Sequence, residues 1–190
     1  TRTWLTLGLF SMFVAALFLL SVRRLKRMLA YSSVEHMGIL GVGAALGGAG
    51  LLAALFHLWA NSLTKGALFL AAGNMQRASG DDESGEMSGV ALLAPWSTRI
   101  VVAGVFAVTA CPPFAPFFSE LRIILAAFAA GQRLAATVFL GCLLLAFFGL
   151  MRLVFAVADG RPSAKARVAA RRLGENAAVL AAPLALLGIS

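Results

Sequence analysis

The sequence predicts an all-α membrane protein, a polytopic helix bundle in which one helix is broken by prolines. Three observations predict it. Of 190 residues, 61% are hydrophobic and only 13% charged, with a mean hydropathy of +0.90. A soluble domain is nearer half apolar and a quarter charged, so this composition belongs in a bilayer. The apolar residues also fall into successive runs near the roughly 20 residues that a spanning helix needs. The longest run contains a cluster of prolines.

The first run covers 3–22 and stops at Arg23-Arg24-Leu25-Lys26-Arg27. The second covers 28–46 and ends at the glycine-rich turn Gly47-Gly48-Ala49-Gly50. The third covers 51–75, followed by a polar loop with Arg77, Asp81, Asp82, Glu83 and Glu86. The fourth, about 98–131, is too long for one straight crossing. At 1.5 Å per residue it would reach about 50 Å, in a hydrocarbon layer of about 30 Å. Within Cys111-Pro112-Pro113-Phe114-Ala115-Pro116, Pro112, Pro113 and Pro116 supply a break, because proline removes backbone donors and clashes with the preceding turn. A fifth run covers 134–157, and 176–190 begins a sixth.

The break allows either two half-helices in one crossing or two short helices that each cross. Charge placement chooses between them. With one broken crossing, the basic residues from Arg23 to Arg27, Arg77, Arg99 and the cluster from Arg161 to Arg172 share one side, leaving Arg2 and Arg133 on the other. With two crossings this asymmetry largely disappears. The positive-inside rule therefore favours a broken helix and cytoplasmic loops at 23–27, 77–99 and 158–172. The net charge of +8 is then a topology signal rather than a nucleic-acid footprint, since the basic residues form no single patch. Cys111 and Cys142 lack metal-ligand or redox spacing and read as small buried hydrophobes. The chain lacks phosphate-loop, zinc-helix and nucleophile-elbow patterns, and nothing suggests an enzyme acting by itself. Starting at Thr1 and ending inside an apolar run, it reads as a piece of a longer protein.

Ionisable residues inside the spans direct attention to function. His57, Asn61 and Lys65 recur at i, i+4 and i+8, so they line one helical stripe, with Thr64 beside them. A lysine near the centre of a spanning helix costs about 2.5 to 3.5 kcal/mol on insertion scales. Lys65 should therefore face the bundle interior or a hydrated path, where proton exchange relieves the cost of a buried charge. Ser119, Glu120 and Arg122 follow the break, where a carboxylate beside unwound backbone can take up and release a proton. Arg122 reads as a counter-ion or a side chain reaching for the interface. Glu35 and His36 lie about two turns into the second span, after Ser32 and Ser33, which read as groups that satisfy backbone or pack helices. Each histidine fits either a proton carrier or a helix-to-helix hydrogen bond.

The stretch Leu25-Lys26-Arg27-Met28-Leu29-Ala30-Tyr31-Ser32-Ser33-Val34-Glu35-His36-Met37-Gly38 resembles a signature of the antiporter-like proton-translocating subunits. Respiratory complex I, multisubunit cation/proton antiporters and membrane-bound hydrogenases share this family. The Ser-Ser-x-Glu-His-Met-Gly form is most similar to the hydrogenase-4 component F branch. His57 through Lys65 to Asn74, Pro112-Pro113-Phe114 and Phe118-Ser119-Glu120 agree in order. The resemblance implies two inverted five-helix repeats, each with a broken helix and half of a proton path. It makes 1–175 the second repeat and 176–190 the start of the last helix. It also implies that Glu120 is the channel residue and that Lys65 and His57 line the connecting helix. Two departures stand out: Arg24 where the family usually has an acid, and Asn61 where many hydrogenase-branch members have a second histidine. Asparagine cannot be protonated near neutral pH, so a relay through position 61 would pass by water.

The expected function is that of a proton-translocating, non-catalytic membrane subunit of an oxidoreductase complex in the inner (cytoplasmic) membrane. The resemblance implies no cofactor in this chain, with metal centres in partner subunits. Its expected partners are other membrane and peripheral subunits, the lipid bilayer and protons, with no nucleic acid. The alternatives are a sodium/proton antiporter subunit and a structural, non-conducting subunit.

Overall fold

The structure is a computed structural model that describes residues 2–22, 24–79, 95–158 and 177–189. The described residues contain seven helices: α1 (Arg2–Ser21), α2 (Leu25–Leu46), α3 (Gly48–Ser79), α4 (Pro95–Val108), α5 (Ala115–Ala129), α6 (Arg133–Ala158) and α7 (Ala177–Ile189). Arg23, the acidic residues at 81–86 and the basic cluster at 161–172 lie outside the described residues, as do all of 80–94 and 159–176.

The helices lie along the expected runs, but α2 takes in 25–27 and α4 takes in 95–99, residues expected in the loops at 23–27 and 77–99. α3 continues through Ser79, making 32 residues instead of a single 51–75 span. The turn before it is also tighter than the four-residue glycine stretch suggests. Only Gly47 is non-helical, and Gly47 and Gly48 have φ of 66° and 43°, a region glycine enters without steric cost.

Two apolar clusters show how the broken helix is placed. One joins Leu19 of α1, Leu25 and Leu29 of α2, Leu68 and Met75 of α3, Val101 and Val105 of α4, and Leu150 of α6. The other joins Leu5 and Met12 of α1, Ile39 and Val42 of α2, Ala53 of α3, Ile123 of α5, and Phe139 of α6. Helices α1, α2, α3 and α6 each contribute to both clusters from opposite ends. α4 packs only in the first and α5 only in the second. The two short helices therefore divide the bundle depth between them, the arrangement of two half-helices in one crossing.

Local chemistry explains the break. α4 ends in a Schellman motif: Cys111 N–H donates to the Phe106 carbonyl and Ala110 N–H to that of Ala107, with Ala110 at φ 52°. The peptide between Pro112 and Pro113 is cis. Pro116 belongs to α5 rather than to the break itself, in the first turn where a missing N–H costs no helical bond. Phe114 and Phe117 N–H groups are satisfied by Cys111 and Phe114 carbonyls. Few backbone donors at the interruption are thus left bare, as a low-dielectric surrounding demands.

Among the described residues the exposed surface is largely apolar. Phe10, Leu52, Leu125 and Phe148 are exposed, while Glu35, His36, His57, Lys65 and Glu120 are buried. Among the described residues, Arg2–Ser21 and Arg133–Phe155 are long and apolar enough by themselves to cross a membrane. α2 and α3 are longer than 20 residues but carry the buried polar groups. Of the cysteines, Cys142 is buried, whereas Cys111 is half-buried at the break and 3.8 Å from Thr109 Oγ1.

Small residues let α1 and α2 approach closely, as membrane helix pairs require. A Cβ on Gly38 would lie 2.7 Å from the Gly8 carbonyl oxygen and 2.6 Å from Met12 Cγ. On Gly41 its nearest neighbour would be Gly8 Cα at 3.6 Å, an ordinary contact. Gly38→Leu should lower the thermal midpoint of the full-length protein in detergent, by an amount equivalent to about 1–3 kcal/mol of overpacking. Gly41→Ala should leave it nearly unchanged, and equal effects would contradict this packing.

Candidate functional site

The ionisable residues meet where α2, α3 and α5 face one another beside the helix break. His57 on α3 is the connection. Its Nε2 lies 2.9 Å from His36 Nδ1 on α2, and its Nδ1 lies 2.8 Å from Ser119 Oγ on α5. The two imidazoles are tilted by 31° with centroids 5.1 Å apart.

The directions of these bonds follow from counting protons. The single hydroxyl proton of Ser119 goes to the Pro116 carbonyl at 2.8 Å. Ser119 Oγ therefore accepts from His57 Nδ1–H. A neutral His57 then has a bare Nε2, which accepts from His36 Nδ1–H. His36 Nε2, at the far end, is buried and has no hydrogen-bond partner.

Glu120 follows Ser119 on the buried face of α5. Both its carboxyl oxygens are buried without hydrogen-bond partners. One ligand-type atom from each of His36, His57 and Glu120 lies within 4.8 Å of the others. Glu35 is buried one residue before His36, with its Oε1 also unpartnered. It borders a cavity of about 10 Å³ shared with His36 and Thr109, close to the smallest volume that holds one water.

Lys65 occupies a separate part of the same interior. It is 7% exposed. Its ammonium donates to the Leu29 carbonyl at 3.2 Å and to Ser32 Oγ. Ser32 and Ser33 both donate to the Leu29 carbonyl, at 2.9 and 3.0 Å, so their backbone-satisfying role is present. Ser32 has a second role as an acceptor for the lysine. Lys65 and Glu35 are close enough for their charges to interact.

The stripe expected from spacing is buried along its whole length. Asn61 is buried with Oδ1 unpartnered, and Thr64 donates to its own helix at Ala60. Arg122 is not brought in. Two positions beyond Glu120 lies roughly 200° round a helix, and Arg122 is exposed. Arg152 is also exposed and donates to the Leu20 carbonyl at the end of α1. Thr98, buried with an unpartnered hydroxyl, is not among the residues expected from sequence. An isolated threonine within a helix gives no spacing signal.

Residues 1–146 match the family described as NADH:quinone oxidoreductase/Mrp antiporter, TM. The chain belongs to this family. It is 36% identical over 157 residues to a hydrogenase-4 component F homolog of Methylacidiphilum infernorum, covering 82% of this chain and 33% of that protein. It is 31% identical to a Na(+)/H(+) antiporter subunit of Alkalihalophilus pseudofirmus, covering 75% of this chain and 29% of that protein. A chain of the Mrp complex from Dietzia sp. superimposes with a TM-score of 0.79 at 28% identity, covering 85% of this chain and 30% of that one. A chain of respiratory complex I from Thermus thermophilus gives a TM-score of 0.73 at 22% identity, a likeness of fold. The chain spans about a fifth to a third of the length of the curated relatives it matches. It is thus related, over part of their length, to antiporter-like membrane subunits of the hydrogenase and NADH-quinone oxidoreductase type.

If Ser119 fixes the His57 tautomer, Ser119→Ala should release it. In nitrogen-15 spectra of histidine-labelled full-length protein, wild-type His57 should show the Nδ1–H tautomer. The variant should show a mixture, with about 1 kcal/mol less stability from the lost bond. An unchanged tautomer ratio would contradict the assigned bond direction.

Proposed function

We propose that this chain carries part of the proton path of a redox-driven membrane complex. The observation that carries the reading is the hydrogen-bonded run from His36 through His57 to Ser119. It ties three helices together beside the break and ends next to an unpartnered carboxyl group. Each imidazole can receive a proton on one nitrogen and release one from the other. A proton received at His36 Nε2 allows Nδ1–H to pass to His57 Nε2, and His57 then releases its own Nδ1 proton towards Ser119 and Glu120. The run returns to its starting polarity when the rings reverse their tautomers. Separations of up to 4.8 Å between the rings and Glu120 suit transfer through one bridging water.

Lys65 and Glu35 would load this run electrostatically. A proton on Lys65 makes the interior more positive and opposes a second positive charge on the rings. A charged Glu35 offsets that effect. Redox events in partner subunits, which would hold the metal centres, would act by changing which of these groups is charged. The subunit would lie in the inner membrane with the basic segments 23–27, 77–99 and 158–172 on the cytoplasmic side. The other expected partners are further membrane and peripheral subunits of the complex.

In the full-length protein within its complex, Lys65→Ala and Glu120→Gln should each reduce proton translocation by at least about tenfold while the complex still assembles. Proton uptake by reconstituted vesicles, with subunit content checked on the same preparation, measures both. Unchanged translocation in both variants would overturn the reading. Loss of assembly with normal flux in the remaining complexes would favour a structural role.

A further inference from the structure

The same side chains form a donor set whose chemistry extends beyond protons. We propose that His36, His57 and Glu120 form a binding site for a divalent transition cation such as Zn²⁺. Occupation of this site would be mutually exclusive with the His36–His57 hydrogen bond. The site follows from the geometry and does not require that the chain conduct protons.

Two imidazoles and one carboxylate are a donor set that Zn²⁺ takes when three protein ligands leave one position open. Ligand-type atoms of all three residues lie within 4.8 Å of one another. His36 Nδ1 and His57 Nε2 are already 2.9 Å apart. Two nitrogens bound to one tetrahedral Zn²⁺ at about 2.0–2.1 Å would stand about 3.3 Å apart, so the rings need only a small separation. Glu120 is 2% exposed. Its two oxygens have no competing hydrogen bond to give up.

The surroundings settle which nitrogens are available. Ser119 accepts the Nδ1 proton of His57, which leaves Nε2 as the metal-binding atom. This is the outer-shell hydrogen bond that characteristically orients a metal-binding histidine. His36 offers Nδ1 once its proton moves to Nε2, which has no hydrogen-bond partner in the structure. Both rings then bind as neutral imidazoles, and the proton released is any carried by Glu120.

Charge sets the affinity. Glu120 and Glu35 favour a cation, whereas a protonated Lys65 opposes it, since its charge acts on both rings. Removing Lys65 should therefore strengthen metal binding. That direction is opposite to the effect of general damage to the fold.

The test uses the purified full-length subunit in detergent, with Co²⁺ as a visible probe and Zn²⁺ as its competitor. The expected result is a d–d absorption band of tetrahedral character, titrating to one Co²⁺ at this site and displaced by Zn²⁺. His57→Gln and Glu120→Gln should each weaken binding about tenfold or more, and Lys65→Met should strengthen it several-fold. Absence of the band, or a band that both ligand variants leave unchanged, overturns the proposal. Should a ligand variant fail to fold, Lys65→Met decides: unchanged or weaker binding also overturns it.

Discussion

His57 makes one hydrogen bond to α2 and another to α5, and much of the interior is organised around that pair of bonds. In hydrocarbon an imidazole cannot leave either nitrogen bare without cost, so the ring draws its neighbours into register. His36 must stand opposite it, and the first turns of α5 must bring Ser119 within reach. α5 can do this because the chain is broken just before it. A continuous helix through this segment would have no separate first turn at that depth and no proline there to orient. The break thus serves the polar contact, and the polar contact helps to hold the broken ends against α2 and α3.

The rest of the bundle follows from the need to keep such groups away from lipid. Apolar side chains dominate the outer surface, and small residues allow α1 to press against the opposite face of α2. Gly38 is part of the same signature stretch as Glu35 and His36, so one segment supplies both close packing and polar chemistry. Lys65 is placed by another economy of space. Its long side chain reaches the Leu29 carbonyl and Ser32 on α2, which gives the ammonium partners within the protein. The cation therefore lies near the histidine run without forming part of it.

Much of the fold was legible because a bilayer restricts the choices. Run lengths located the crossings, and an excessive run with clustered prolines located the interruption. Helical spacing alone placed His57, Asn61 and Lys65 on one buried stripe. The join between α3 and α5 was not legible, because His57 and Ser119 are 62 residues apart in sequence and no periodicity links them. The direction of each hydrogen bond was equally hidden, since it depends on the Pro116 carbonyl taking the serine proton. Arg122 reads either as a counter-ion or as a side chain reaching for the interface, and helix geometry turns it outward, away from Glu120. Pro116 looked like part of the break because proline usually interrupts helices, yet in a first turn it fits without loss.

Whether this buried polar run carries protons or only holds helices together depends on whether Glu120 changes protonation during turnover. Infrared difference spectroscopy on the intact full-length protein in its complex reads that change directly, with Glu120→Gln identifying the band. The account predicts a carboxyl signal that appears and disappears with turnover and is missing in the variant. A complex that translocates protons at the normal rate with no such signal would contradict it.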